Sequence, residues 1–575
     1  MNLWLANSVK HRFLLAHLLL CAVIVAVYYP VMTDGIHTMD DPGIISLYST
    51  SPPLSQVLIP GQGYYYRPLV ELSFWLDNLL WGMQPSVMHL ENVLLHVANA
   101  MLVFLLARRI CGRDQGTHPL LPLFAALLFA LHPLNVEAVG WVAGRTDPLL
   151  SFFALCACAF WLKWLDEQGW VPLSLAVLFL AGAVLTKEVG LALIPVALVL
   201  ALSRSAAPLA VSRRNLINAA AVTSLICLLP ILLFLFLRGS SLAVLRLLAP
   251  GEGMALDTAL KVLAALGFYC KKMFLPLPLN FATIEIPAPY ALLGAGAVLL
   301  GLLALWKRRE TASLFIAAAI MVLPALVLVV RQISWTPVAE RYLYLPTAFL
   351  SLGICNVLAL QRQSVLVKVA PFLVLLLLVA ALASRQRNVL WQDKLLFFQD
   401  AVAKSPGFSA LYNELGTLQL RDGRVAEAAQ AFATAERLNK RPSTTYVIKG
   451  NIMATIIAKG DFSGARSYFF KLFPDKREAP PLFLEMLQEA DGKRLPTTSG
   501  AERDALARDM IGTMGLLHER SGEFFWLYQS GKLAVMLKSY PEASAIFSRV
   551  YRDAPPDAHY RLATQKQLQN LGTLP

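Results

Sequence analysis

Charge is what this sequence has least of. Only 15% of its 575 residues are Asp, Glu, Lys or Arg, against 57% apolar ones, and so little charge cannot cover a soluble surface of that size. Lipid must solvate most of the chain. Cysteine is also scarce: the seven stand at Cys21, Cys111, Cys156, Cys158, Cys227, Cys270 and Cys355, mostly inside apolar runs. That pattern excludes a disulfide framework and the paired spacing of a zinc site. No small-x-small cleavage site follows the first apolar run, so the segment after Lys10, His11 and Arg12 reads as a retained span. Asn-x-Ser/Thr is absent throughout. The net charge of +13 lacks the basic-aromatic patches that nucleic-acid binding requires, so no nucleic-acid partner is expected. Much of the surplus sits in short connections between apolar runs, where it sets orientation.

What the chain has in abundance is apolar runs. A membrane crossing needs ~20 apolar residues, or fewer when flanking cations can reach the interface. About eleven runs satisfy that rule: 13–29, 87–106, 120–131, 149–164, 171–185, 189–202, 216–237, 290–306, 312–330, 342–360 and 365–383. The cations at Lys10/Arg12, Arg108/Arg109/Arg113, Lys163, Arg204/Arg213/Arg214, Lys307/Arg308/Arg309 and Arg362/Lys368 fall at every second connection. Those ends are expected to be cytoplasmic, with the C-terminal part on the opposite side. That opposite face receives two long connections, 30–86 and 238–289, and short ones around 132–147, 186–188 and 331–341.

Hydropathy falls after Arg385, and a soluble domain over 385–575 is expected, leaving 1–384 as the membrane domain. Tyr412, Leu415, Gly416, Gly423, Ala428, Phe432 and Ala435 occupy the packing positions of a tetratricopeptide-like two-helix unit. Gly460, Ala465, Phe469 and Leu472 repeat its second half; Gly531, Ala543, Phe547, Val550 and Pro555 give a further copy. Such units stack into an α-solenoid whose concave surface commonly holds a peptide. The polar stretch 491–502 reads as a loop, and a plain helical bundle is the alternative.

The short connections keep charges that orientation does not explain: Arg145, Asp147, Lys187, Glu188, Glu340 and Arg341. Ionisable groups at membrane depth are costly, so they either hold helices together or form a site. In the first long connection Asp34, Asp40 and Asp41 precede Tyr64-Tyr65-Tyr66-Arg67-Pro68. Adjacent carboxylates raise each other's proton affinity and suit a general base, though Asp-Asp-Pro is equally a helix-start signal. His132 to Asp147 and Thr186-Lys187-Glu188 interrupt the apolar pattern, which the bilayer tolerates only where protein or a cavity covers the backbone. Their cations could hold a lipid phosphate as it leaves. The paired carboxylates could instead bind a divalent cation; no metal or other cofactor is expected.

The segments Tyr66 to Trp75, Met88 to His96, His132 to Asp147, Thr186-Lys187-Glu188 and Glu340-Arg341-Tyr342-Leu343-Tyr344-Leu345-Pro346 together resemble the transmembrane and tetratricopeptide-repeat-containing O-mannosyltransferases and their bacterial relatives. The resemblance implies an all-α GT-C-type helical bundle carrying a C-terminal repeat solenoid. It implies an inverting glycosyltransferase that takes sugar from a polyprenyl-phosphate-linked donor in the membrane lipid to a hydroxyl acceptor, a protein or peptide, at the non-cytoplasmic face. In a bacterium that is the periplasmic face of the inner membrane, and the repeat domain lies there. The family's first-loop acid matches Asp40, with Asp41 beside it. Arg145, Lys187 and Arg341 are the implied donor-phosphate ligands, and His132, Glu137, Glu188, Arg67 and Glu340 the supporting residues. A lipid transporter and a membrane-anchored repeat scaffold are the rival readings.

Overall fold

The computed structural model describes residues 2–33, 35–59, 66–111, 120–204, 255–306, 310–331 and 336–573. Asp34, Tyr64, Tyr65, the expected span 216–237, the first part of the connection 238–289 and the loop cations Arg113, Arg213, Arg214, Lys307, Arg308 and Arg309 lie outside them. The chain divides into two compact units, Met1–Ser405 and Pro406–Pro575, and the described residues of both are helical, with one isolated β-bridge between Thr283 and Val338.

In the first unit α1 (Asn2–Met32) leads into a connection that carries α2 (Asp41–Ser49), α3 (Leu54–Leu58) and α4 (Pro68–Trp81). Then come α5 (Pro85–Cys111), α6 (Leu121–Ala130), α7 (Val136–Gly140), α8 (Thr146–Glu167), α9 (Trp170–Thr186) and α10 (Leu193–Arg204). After the undescribed stretch follow α11 (Ala255–Phe274), α12 (Tyr290–Trp306), α13 (Glu310–Arg331), α14 (Tyr344–Ala359), α15 (Gln363–Gln392) and α16 (Lys394–Lys404). Every expected span that falls within the described residues coincides with a helix. Among the described residues six helices are long and apolar enough to cross a bilayer, and seven spans result if the bent pair Leu121–Ala130 and Pro133–Gly140 counts as one. The protein is thus a multi-pass membrane protein. Leu300, Phe372, Leu378 and Leu382 are exposed on this unit, the surface that lipid rather than water must cover.

Residues 255–274, expected within a long connection, form a helix instead. Asp257, Lys261, Lys271 and Lys272 break its hydropathy, which is why no span is read there. Its fit against α12 is set by glycine. A Cβ on Gly294 would lie 1.9 Å from the Leu263 carbonyl oxygen, and one on Gly267 2.0 Å from that of Tyr290. Close backbone approach of this kind gives helices in lipid their dispersion contact, since apolar burial drives little association there.

At the centre, α5 packs against α1, α6, α8 and α14. Between α6 and α8 the chain breaks into a 3₁₀ turn (Pro133–Asn135), α7 and a second 3₁₀ turn (Val142–Arg145), and these buried breaks free carbonyl groups. Side chains of neighbouring helices take them up. His96 Nε2 donates to Ala130 O (3.0 Å), Asn92 Nδ2 to Trp141 O (2.9 Å) and Ser384 Oγ to Leu131 O (2.8 Å). Asn135 Nδ2 donates to Phe129 O (2.7 Å), so these four carbonyls find protein donors where lipid offers none.

The expected boundary at Ser384 falls inside α15, which runs on to Gln392, and α16 also belongs to the first unit. Polar residues appear there because they bond to the end of α1. Pro30 lacks the N–H that would close a helical bond to Ala26 O, and Arg385 Nη1 donates to that oxygen instead (2.8 Å). Asn388 Nδ2 donates to Val27 O (3.0 Å).

The second unit consists of α17 (Ser409–Arg421), α18 (Val425–Leu438), α19 (Pro442–Ala458), α20 (Phe462–Leu472), α21 (Pro481–Arg494), α22 (Gly500–Ser521), α23 (Phe524–Met536), α24 (Tyr540–Asp553) and α25 (Arg561–Asn570). Gly416 lies against the ring of Phe432 and, at the same spacing, Gly531 against Phe547, so the first and last copies share one packing device. The turn within each pair takes a positive φ at Gly423, Gly460 and Lys538. The stretch 491–502 is largely helical rather than a loop. Its polarity misleads because Asp491 is buried and paired with Arg466, which also reaches Asp509 (2.7 Å).

Gly294→Ala should force α11 and α12 apart and lower the melting temperature of the detergent-solubilised protein by several degrees. Gly296→Ala, which meets no atom within 4 Å, should leave it unchanged; equal melting temperatures for the two variants would rule out the close crossing.

Candidate functional site

Asp41 is the first residue of α2 and is completely buried. Its Oδ2 accepts the backbone N–H of His37 (2.9 Å) and its Oδ1 that of Ala143 (3.1 Å). One carboxylate thereby closes its own loop and fastens it to the turn after α7. Burial raises its carboxyl to about 6, against the two backbone donors that favour the charged form. Asp40, at the N-cap of the same helix, makes no capping bond and is exposed. Partial desolvation raises its carboxyl as well, and the positive charge of Arg341 opposes the rise. The two acids are therefore unlike: Asp41 is committed to backbone, while Asp40 faces outward within the field of a guanidinium.

That guanidinium belongs to the 3₁₀ turn Glu340–Leu343. Arg341 forms an ion pair with Glu137 of α7, and its own backbone N–H donates to Glu137 Oε2 (3.1 Å). Nη2 donates to Thr336 Oγ1 (3.0 Å), and the charge stands over the rings of Trp141 (5.2 Å) and Tyr342 (4.9 Å). Two aromatic rings within cation–π reach restrict the orientation of the guanidinium. Lys187, in the break after α9, pairs with Asp147 (2.6 Å) and lies 5.4 Å from the Tyr342 ring. Arg67, at the N-cap of α4, pairs with Glu188 (2.9 Å), the half-open member of the group, with side-chain exposures of 22% and 47%.

The structure brings Asp40, Asp41, Glu137 and Arg341 together, with Lys187 joined through Tyr342 and the Arg67–Glu188 pair alongside. It does not bring Arg145 to them. Arg145 follows Ala143 closely in sequence, but its side chain is 2% exposed and held by Asp77 (2.6 Å), Glu91 (3.0 Å), Asn92 Oδ1 (3.0 Å) and Met88 O (3.2 Å) over the ring of Phe74. Two carboxylates, a side-chain amide oxygen and a backbone carbonyl leave that guanidinium occupied, so the geometry gives it a tie between α4, α5 and the second 3₁₀ turn rather than an open grip on phosphate. His132 is likewise engaged, with Nε2 on Met273 O (3.1 Å) and Nδ1 accepting from Leu134 N (3.4 Å). Glu340 binds Lys272 (2.9 Å) and the N–H of Asn280 (2.7 Å). Trp141 and Tyr342, which no charge pattern singles out, form the aromatic walls. Their sequence signal is position alone: each adjoins a break in the apolar pattern. Among the described residues no three His, Cys, Asp or Glu side chains converge as metal ligands.

Removing one partner of a buried pair leaves the other charge uncompensated, which costs about 3–5 kcal/mol. Arg145→Met should therefore sharply lower thermal stability in detergent, and adding Asp77→Met should restore part of the loss. A single variant as stable as the parent would argue against the tie.

No family model matches the chain. Relatives of known name do. It is 37% identical over 123 residues to "Protein O-mannosyl-transferase Tmtc1" of Drosophila melanogaster, covering 21% of this chain and 14% of that protein. To "Protein O-mannosyl-transferase TMTC3" of Mus musculus it is 34% identical over 135 residues, 22% of this chain and 14% of the relative. To "Protein O-mannosyl-transferase TMTC1" of Homo sapiens it is 33% identical over 144 residues, 23% and 16%. The match thus spans only 14–16% of these relatives' own length. Within that stretch, the chain is similar to the TMTC protein O-mannosyl-transferases.

Proposed function

We propose that this protein transfers a sugar from a polyprenyl-phosphate-linked donor to a hydroxyl group of a protein, with inversion, at the non-cytoplasmic face of the membrane. The observation that carries the reading is the meeting of the first-connection carboxylates with Arg341 in one cluster. Asp40 is the base: it is the exposed acid, whereas both oxygens of Asp41 are taken by backbone amides. It accepts the acceptor hydroxyl proton as that oxygen bonds to the anomeric carbon. The bond from that carbon to phosphate breaks through an oxocarbenium-like transition state, and the polyprenyl phosphate departs toward Arg341, Lys187 and Arg67, whose charge stabilises it. The alternation of cationic connections supports the orientation, and in a bacterial inner membrane the site faces the periplasm. The repeat unit recruits the protein acceptor, a role that stacked helix pairs commonly serve. The names of the relatives support the reaction class.

Purified protein incubated with labelled polyprenyl-phosphate sugars should label a protein acceptor, and Asp40→Asn should lower transfer by at least ~10²-fold, within the usual contribution of a general base, without loss of folding. Transfer by that variant at the parental rate would remove Asp40 from the mechanism; movement of intact donor across vesicles without transfer would favour a transporter. A base must be ionised to act, so a raised carboxyl loses activity at higher pH than an ordinary one. Transfer should be full above neutrality and fall as pH drops through about 6, where Asp41 takes up its proton and its hold on the loop that carries Asp40 weakens. A rate unchanged down to pH 4 would contradict the assignment. Ending the chain at Ser405 should reduce transfer to the native acceptor while sparing transfer to a short hydroxyl peptide.

A further inference from the structure

The loop that carries Asp40 has no regular structure of its own: from Gly35 to Asp40 the chain is neither helix nor strand. A general base must still be held to within a fraction of an ångström, because small misplacements cost rate steeply. Three ties provide the hold. At the near end His89 Nε2 of α5 donates to Gly35 O (3.2 Å), and at the far end Asp41 accepts the N–H groups of His37 and Ala143. Between them stands the ring of His37, completely buried. It meets Trp391 edge-on at 4.8 Å and Phe397 edge-on at 5.4 Å, and those two rings lie 4.5 Å from each other. Phe281 joins the box, 5.6 Å from Trp391 and 5.0 Å from Phe397. Burial, followed by the charge of Lys394, pushes the imidazole down to about 3, so the ring packs as a neutral aromatic. The box belongs to the elbow between α15, whose last turn holds Trp391, and α16, whose first turn holds Phe397. That elbow is stiff: Asp393 caps α16 by accepting the Leu396 N–H (3.0 Å), and Arg387 of α15 reaches Asp400 of α16 (3.3 Å).

We propose that this elbow is part of the transfer site and that His37, Trp391 and Phe397 are positioning residues for Asp40: the box fixes the ring, the ring fixes the loop, and the loop sets where the carboxylate stands. The proposal rests on the sugar-transfer reading for its kinetic effect and on side-chain contacts alone for the hold. His37 serves because it is tied twice. Its ring is gripped by α15 and α16, while its backbone N–H is a donor to Asp41. Edge-to-face ring contacts are directional, the positive edge of one ring meeting the negative face of the next, so the box restrains orientation as well as position. The segment that completes the site therefore comes from beyond Ser384, where hydropathy has already fallen.

Full-length protein purified in detergent is read in two ways. Amide hydrogen exchange over residues 35–45 reports the hold without any substrate. His37→Ala and Trp391→Leu should each lower protection there about tenfold, the size of one or two lost ring contacts, and His37→Phe, which keeps a ring in the box, should retain most of it. Unchanged protection in His37→Ala would overturn the proposal, and should Trp391→Leu fail to fold, the pair His37→Ala and His37→Phe decides alone. In the transfer assay His37→Ala should lower kcat about 10- to 100-fold with donor KM at the parental value, because the cations that meet the phosphate are untouched; His37→Phe should recover most of that loss. Added to Asp40→Asn, His37→Ala should cost nothing further, since no base remains to be placed. A loss that persists in the Asp40→Asn background, or a donor KM that rises as kcat falls, would reduce the box to packing. Should the parent transfer no sugar while protection still falls in His37→Ala, the reaction fails and the hold on the loop stands.

Discussion

A bilayer interior offers no water to an unpaired carbonyl, and this constraint governs the architecture around the breaks between α6 and α8. Within an apolar bundle the chain breaks into 3₁₀ turns on either side of the short α7, so each acceptor freed at a break needs a donor from elsewhere. α5 supplies Asn92 and His96, α15 supplies Ser384, and Asn135 supplies its own amide. Those bonds let Ala143 present its N–H to Asp41 and Trp141 present its ring to Arg341. The candidate site thus depends on polar side chains that never face it.

Charge is handled by the same accounting. Arg145, Lys187, Lys272 and Arg341 each sit beside a carboxylate brought from a distant part of the chain, Asp77, Asp147, Glu340 and Glu137 respectively. Burying an ion pair seldom adds stability over an apolar pair of equal size, but breaking one is severe. The pairs therefore act mainly as specifiers of which segments meet. Against that background Asp40 differs from Asp41, Glu137 and Asp147, the buried acids of the cluster, in being exposed and lacking a capping bond.

Much of this was legible before any coordinates. Apolar runs place the helices because twenty residues of lipid-compatible sequence have few alternatives, and charges that survive inside short connections point to segments 137–147, 186–188 and 340–341. What the residues could not reveal is which way a cation turns. Arg145 and Arg341 look alike as isolated charges at a break, yet one meets Asp77 and Glu91 and the other meets Trp141, a distinction made by α4 and α5 packing. The helix α11 hides behind four charges in its sequence, and α15 outlasts its hydropathy because Arg385 and Asn388 find acceptors on α1. In the same way 491–502 looks like a loop because Asp491 pairs within the repeats.

Pro30 has a consequence of its own. By deleting a donor it leaves Ala26 with an open carbonyl, and that vacancy is filled by Arg385 from a helix more than three hundred positions later. Sliding α15 by a single residue would swing Arg385 about 100° round its axis and leave the oxygen bare. Two helices that could otherwise glide past each other in lipid are thereby indexed to one alignment by an imino acid whose own carbonyl accepts a further bond from Gln392 of α15.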